Sequence, residues 1–329
     1  MKKKKFTFWK LLLILVILAV IAAAGLYIAV THYVSKLNFE DTSSEDKFSI
    51  VGSLADDATG VKNILLIGVD NDYAPGMDEL GNADGLMIAS INPKTHQVVL
   101  TSLMRDIRVQ VPDSYKTKLT LSYHYGGTQQ LIDTIEYNFG VPIGNYVLVN
   151  YISVVNIVDA VGGLTMDVTA DELYWMDDKI KSVCELVGAS YEDNMLSTDQ
   201  AGELELNGIQ TAAFLRIRYA GNNDFERTER ARRVVLGLKD KAAAMSLTEL
   251  DSFANTVLPY ITTDLTQTDI ISLLLRFPAM IKYDMLSDRI PIEGSYWLTN
   301  DDNGSFVDID YDANKQHLQS SIYGGELSN

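Results

Sequence analysis

The residues of this sequence best suited to gripping an anion are its arginines, and they are grouped. Arg105 and Arg108 lie together, as do Arg216 and Arg218. Arg227, Arg230, Arg232 and Arg233 follow at the end of the segment FLRIRYAGNNDFERTERARR. Guanidinium forks hold phosphate oxygens two at a time. If residues 215–219 are extended, Arg216 and Arg218 point to one face. If a helix runs from Glu226, Arg227 and Arg230 share a face near its start. A helix start already favours an anion through its free N–H groups and its dipole. Asn223 followed by Glu226 resembles a capping box there. The competing reading is a solvated face of Glu–Arg pairs, since Glu226 and Glu229 are interleaved with the arginines.

Two carboxylates stand near this chemistry. Asp70 ends the run NILLIGV, and Asp84 just precedes the run at Leu86. Ligands of α/β sheets bind at strand ends, and two carboxylates could hold a Mg²⁺ together with the phosphates of a substrate. Asp72, Asp78 and Glu79 read as loop acids. Other site chemistries lack support. The sequence has no GxSxG, GxxxxGK[ST], GxGxxG or HExxH. His32, His96, His124 and His317 are scattered, and the single cysteine, Cys184, stands outside any His–Asp pattern. It reads as a small buried residue rather than a nucleophile, and an intramolecular disulfide is excluded.

The elements that must position these groups alternate in period. Asn63–Val69 is a continuous apolar run, as for a strand covered on both faces. Leu86–Ile91 and Gln97–Leu103 flank the turn residues Asn92–Thr95 and predict a hairpin. Thr128–Phe139 has helical spacing and stops at Gly140. Residues 146–150 predict a strand, 152–161 a helix stopped by Gly162 and Gly163, and 164–168 another strand. Residues 171–200 read as an irregular polar excursion. Helices are expected over 207–216, 226–244, 246–258 and 266–277. Strands and helices mixed through one continuous stretch imply a single α/β domain.

Charge and hydropathy add a topology. Lys2–Lys5 and Lys10 precede LLLILVILAVIAAAGLYIAV, an uncharged run at 11–30. Twenty helical residues rise about 30 Å, the thickness of a bilayer's hydrocarbon core. The basic flank stays in the cytoplasm, so the rest of the chain is expected outside. The run exceeds a typical signal-peptide core, which favours an uncleaved anchor over cleavage near Ala22–Ala24. The expected organisation is a cytoplasmic tip at 1–10, a membrane anchor at 11–33, a juxtamembrane linker at 34–60 with a short strand at 48–51, and a globular domain at 61–329. The formal net charge is −17, with 27 basic and 44 acidic residues. Five of the basic residues precede the span, so the remainder carries 22 against 44, or −22. Such a surface repels nucleic acid. An acidic domain that binds a phosphate must gather its few arginines in one place.

Ordered blocks then identify a likeness. NILLIGVD, GNADGLMIASINPKT, VLTSLMRDIRVQVP, KLTLSYHYGG, VNYISVVNIVDAVGGLTMDV, LNGIQTAAFLRIRY and DFERTERARRVVLGL together resemble the LytR–CpsA–Psr family from about Lys62 to Leu238, with a compatible tail. The resemblance implies an α/β/α sandwich with a central mixed sheet and an apolar cleft for a polyprenyl chain, behind one N-terminal transmembrane helix. It implies a Mg²⁺-dependent phosphotransferase of Gram-positive cell envelopes, with a pyrophosphatase side activity as an option. Such enzymes move a glycopolymer, such as teichoic acid or capsule, from a polyprenyl pyrophosphate carrier to peptidoglycan. By position, Asp70 and Asp84 match the family's Mg²⁺-associated acids. Arg105, Arg216, Arg218 and Arg227 match its pyrophosphate-binding arginines, and Lys118 its basic residue in the KL block. Arg230 is a further candidate for the same pyrophosphate. Asp84 or Asp106 could take the acceptor's proton.

Two positions depart from the family pattern. Asn82 stands where the family commonly has Arg, and Ala231 where it commonly has Gln. Both changes remove donors, and a lost donor to developing charge costs on the order of 10²–10³ in rate. Arg108 or Arg230 could supply replacements. The departures motivate a second reading, a non-catalytic receptor for lipid-linked pyrophosphate. A third, a membrane-bound transcriptional attenuator, sits poorly with an acidic domain placed outside the cell. The topology is testable with reporters fused after Asn329. One that works only outside the cell is expected to be active, and a silent external reporter beside an active cytoplasmic one would overturn the orientation.

Overall fold

In the computed structural model, residues 31–32, 35–39, 60–70, 80–197, 201–218, 224–302 and 304–324 are described. Most of the expected anchor at 11–33, most of the linker with its strand at 48–51, Asp72, Asp78, Glu79 and Asn223 lie outside them. Among the described residues no helix is long and apolar enough to cross a membrane.

The chain forms one mixed α/β domain. Its strands are β1 (Asn38–Phe39), β2 (Lys62–Val69), β3 (Ala83–Asn92), β4 (Gln97–Leu103), β5 (Arg108–Gln110), β6 (Lys116–Lys118), β7 (Asn145–Asn150), β8 (Leu164–Val168), β9 (Gly202–Leu206), β10 (Thr262–Thr263), β11 (Asp284–Ile290), β12 (Tyr296–Asp301) and β13 (Gly304–Ile309). The helices are α1 (Leu119–Phe139), α2 (Tyr151–Ala160), α3 (Ala170–Val187), α4 (Gly208–Leu215), α5 (Asp224–Ala244), α6 (Leu247–Val257), α7 (Gln267–Met280) and α8 (Tyr311–Tyr323). Seven strands make the central sheet in the order β1-β10-β7-β2-β3-β4-β11. β2 pairs in parallel with β7 and β4 with β11, while β3 runs antiparallel to both neighbours.

The apolar run of β2 is covered on both faces. Leu65 and Ile67 join Ile88, Leu103 and Tyr146 under Leu131, Ile135 and Phe139 of α1 and Leu318 and Ile322 of α8. Leu66 faces the other way, with Met87, Val98 and Leu100, under Ala231, Val235 and Leu236 of α5. Beyond α5, the helices α2, α3 and α4 and the antiparallel pair β8–β9 close a second core around Val158, Leu173, Met176 and Phe214. The expected β3–β4 hairpin forms, and Asn92 Oδ1 accepts from the N–H groups of Lys94 and Thr95 in its turn.

Several elements differ from expectation. Residues 170–187, expected to be irregular, form α3. Its buried Leu173, Met176, Ile180, Val183 and Cys184 follow helical spacing beneath interleaved charges, and Thr169 and Glu172 close a capping box at its start. α1 begins at Leu119 rather than Thr128 and bends at Gly127, whose φ of 65° is open mainly to glycine. Leu215 is helical and Arg216 caps α4 with φ −85° and ψ −5°, so Arg216 and Arg218 are not neighbours on a strand. Asn38 and Phe39 of the linker add an edge strand against β10. The tail contributes β11–β13 and α8, which the sequence pattern did not announce.

Candidate functional site

The site begins with a fault in the sheet. β2 and β3 pair with Gly68 opposite Gly85 and Val69 opposite Ala83, so Asp84 is an extra residue. Alternation alone would send Asp84 to the face opposite Gly85, into the apolar core beneath α1. A bulge re-aims a side chain. Asp84 instead joins Gly85 on the wall of a cavity on the other face of the sheet.

There three arginines from three parts of the chain meet one carboxylate. Arg105, just past β4, donates from Nη1 to Asp84 Oδ1 at 2.7 Å. Arg227, in the first turn of α5, donates from Nη2 to Oδ2 at 2.6 Å. Arg218, past the end of α4, brings Nη2 to 3.5 Å from Oδ2. The Asp84 side chain is only 4 % exposed. Burial pushes its pKa up, but the charges of Arg227 and Arg105 outweigh burial and hold it below the ordinary carboxylate value.

The cluster extends to both sides. Arg216 lies over the Tyr151 ring at 4.7 Å, and the Tyr151 hydroxyl is 3.5 Å from Arg227 Nη2. On the other side Asp106 lies 3.6 Å from Arg105 Nε and 2.8 Å from Lys118 Nζ. Five cations (Arg105, Lys118, Arg216, Arg218, Arg227) thus surround two carboxylates, Asp84 and Asp106. In a domain with a large acidic excess, this is a local surplus of three positive charges.

The surplus borders an apolar cavity of about 250 Å³. Its floor is the sheet face carrying Gly68, Gly85, Met87, Val147 and Val149, and its roof is α2 and α5. From α5 come Arg227, Ala231, Val234 and Leu238, one face of the helix with its polar end at Asp84. Gly68 and Gly85 pair side by side and contribute no side chain, which leaves depth beneath the cluster.

Other candidates sit elsewhere or differently. Asp70 directly follows β2, where Oδ1 accepts from the Asn82 backbone N–H at 2.5 Å and Oδ2 from the Asn82 side chain at 3.2 Å. Asn82 is therefore spent on Asp70. Arg230 does not reach the Asp84 cluster. It is 1 % exposed, and its guanidinium meets Glu172 and the Ile217 carbonyl. Arg108 is likewise held away, by Asp301, Asp308 and Thr299 and over the Phe306 ring. Neither arginine replaces the donors missing at Asn82 and Ala231. Ala231 itself is part of the apolar roof. Tyr151, which touches two of the arginines, and the Gly68–Gly85 pair were not singled out by the sequence. A lone tyrosine after a capping asparagine carries no signal, and facing glycines appear only once strand register is known. Cys184 is buried among apolar side chains, and burial raises its thiol pKa.

The LytR_cpsA_psr family model matches residues 26–320. The chain belongs to the LytR_cpsA_psr family. A curated relative, polyisoprenyl-teichoic acid–peptidoglycan teichoic acid transferase TagU of Bacillus cereus, is 30% identical over 297 residues, covering 89% of this chain and 88% of its own. TagU of Enterococcus faecalis is 28% identical over 273 residues, covering 79% of this chain and 83% of its own. Among solved structures, a LytR-CPS2A-psr family protein, YwtF (TagT), with bound octaprenyl pyrophosphate lipid, superposes with a TM-score of 0.58 at 20% identity. The match covers 80% of this chain and 90% of that one, and it speaks to the fold.

The ion cluster has a consequence for pH. Because Asp84's folded-state pKa is depressed, its stabilisation is fully present above about pH 4 and is lost as pH falls through the folded value. Urea unfolding from pH 7 to pH 2 should therefore show an acid loss of stability that is smaller in Asp84→Asn. At pH 7 the same variant leaves the buried Arg227 guanidinium without its carboxylate and should cost about 3–5 kcal/mol. A variant as stable as the wild type at pH 7, with an unchanged acid limb, would contradict this account of Asp84.

Proposed function

We propose that this chain transfers a glycopolymer from a polyprenyl pyrophosphate carrier to peptidoglycan, working outside the cell from a membrane anchor at 11–33. One observation carries the reading: a cation cluster stands at the end of an apolar cavity. That pairing suits a ligand with a pyrophosphate head and a prenyl tail, and few other ligands need both. The TagU relatives, named for teichoic acid transfer to peptidoglycan, support the polymer and the acceptor.

In this reading the pyrophosphate rests on Arg105, Arg216, Arg218, Arg227 and Lys118, with the prenyl chain along Met87, Val149, Ala231 and Val234. An acceptor hydroxyl attacks the sugar-linked phosphorus. The new P–O bond forms as the bridging P–O bond breaks, and polyprenyl phosphate leaves. Phosphoryl transfer is mainly positioning and charge stabilisation, which the guanidinium groups supply beside the apolar cavity. The hydroxyl proton needs a carboxylate. Asp84 accepts two guanidinium hydrogen bonds and has a lowered pKa, which makes it a poor proton acceptor. We assign the proton to Asp106, which is more exposed than Asp84 and meets Lys118 at 2.8 Å but Arg105 only at 3.6 Å.

Mg²⁺ is proposed to be held by Asp70 and Asp84 with pyrophosphate oxygens. Mg²⁺ commonly uses one or two carboxylates plus substrate phosphates. Both acids already accept hydrogen bonds on each oxygen, Asp70 from Asn82 and Asp84 from Arg105 and Arg227, so an ion held there would share those oxygens with the donors. When bound, the ion would neutralise charge on the leaving phosphate.

The bonds of Asn82 to Asp70, and the engagement of Arg108 and Arg230 elsewhere, point to a site working with fewer donors than the family pattern supplies. The test is turnover of a short polyprenyl pyrophosphate-linked sugar with Mg²⁺ present. Arg105→Ala should lower kcat/KM on the order of 10²–10³ while the fold persists. Asn82→Arg combined with Ala231→Gln should raise kcat at similar affinity. Tight binding with no turnover in wild type and in the double variant would favour the receptor reading and overturn the transferase.

A further inference from the structure

We infer that Arg230 is a positioning residue that holds the loop bearing Arg216 and Arg218 in register with Arg227, and that Glu172 holds Arg230. The inference rests on the anion-binding role proposed above for those arginines. Arg230 sits three residues after Arg227 on α5 yet turns away from the cavity. Its Nη2 donates to the Ile217 carbonyl at 2.8 Å. Ile217 is the residue between Arg216 and Arg218, and its own side chain is fully buried in the second core. Backbone and side chain of residue 217 are thus both fixed, while the flanking arginines project to Tyr151 and Asp84.

Glu172 completes the arrangement. Its Oε1 lies 3.5 Å from Arg230 Nη1 and 3.2 Å from Arg233 Nη1. Its Oε2 accepts from the Thr169 backbone N–H at 3.0 Å, which caps α3. The Phe214 ring, at the end of α4, lies beneath both guanidinium groups, 5.9 Å from Arg230 and 4.9 Å from Arg233. The carboxylate therefore ties the start of α3 to α5, and Arg230 ties α5 to the segment after α4.

A purely structural role does not require this chemistry. A buried guanidinium is costly to desolvate, and apolar residues of similar size commonly stabilise as well or better. What methionine cannot do is fix a particular carbonyl. Arg218 needs such fixing most: its side chain is 50 % exposed and only 3.5 Å from Asp84, so little but its backbone aims it.

The test is a double-mutant cycle read as affinity for geranyl pyrophosphate by calorimetry, with folding checked by thermal unfolding. In the wild-type background Arg218→Ala should weaken binding about tenfold, as for loss of one hydrogen bond to a charged group. In Arg230→Met the same change should cost less than twofold, because Arg218 is already misplaced. Arg230→Lys, which keeps one donor for the carbonyl, should restore most of the Arg218→Ala penalty. Lys118→Ala, held by Asp106 on another element, should cost the same in every background. A full Arg218→Ala penalty in Arg230→Met would overturn the inference, and so would failure of both Arg230 variants to fold, which would place the residue in the core alone. Wild-type protein that does not bind geranyl pyrophosphate would strike instead at the functional reading on which the inference rests.

Discussion

Asp84 is a nearly buried carboxylate that accepts a guanidinium hydrogen bond on each oxygen and has a third guanidinium within ion-pair distance. Without it, Arg105, Arg218 and Arg227 would repel one another at the edge of an apolar cavity. With it, they are held together and still exceed it in charge. The bond lengths of the sheet do not give Asp84 this place. The extra residue opposite Gly68 and Val69 does, because it turns a side chain bound for the core beneath α1 towards the cavity. A single irregularity of register thus sets the charge geometry.

The cavity and the cluster are parts of one arrangement. α5 supplies Arg227 to the cluster and Ala231, Val234 and Leu238 to the roof. β2 and β3 supply Gly68 and Gly85, whose missing side chains deepen the floor beneath Asp84. Ala231 shows how a substitution moves the boundary. Where the family pattern has a glutamine one turn from the first arginine, this chain has a methyl group, so the apolar wall reaches closer to the charges. Asn82 stands where the pattern has a cation, and it is bonded to Asp70.

Much of this was legible in residue types, because charge in a large acidic domain is conspicuous. The grouped arginines included Arg105, Arg216, Arg218 and Arg227, which the likeness to the family singled out of eight, and the apolar run of β2 named the centre of the sheet. Three kinds of fact were not legible. Arg227 and Arg230 share a helix and a spacing, yet one meets Asp84 and the other Glu172, because the first turn of α3 brings Glu172 to α5 and no local pattern reports that. Helix α3 was hidden by charges scattered through its apolar stripe. Tyr151 and the facing glycines acquire meaning only from strand register and helix docking, which are long-range properties. The helix expected over 207–216 forms as α4, so the conditional reading of 215–219 as extended, which put Arg216 and Arg218 on one face, does not apply.

The central claim is that the cation cluster and the cavity recognise one amphipathic ligand. Mass spectrometry of lipid that co-purifies with the full-length chain tests it most directly. The account predicts a polyprenyl lipid bearing a phosphate or pyrophosphate head, depleted when Arg105 and Arg227 are replaced by alanine in a protein that still folds. A chain that carries no prenyl lipid even when polyprenyl pyrophosphate is supplied during purification, or whose bound lipid is unaffected by loss of both arginines, would contradict it.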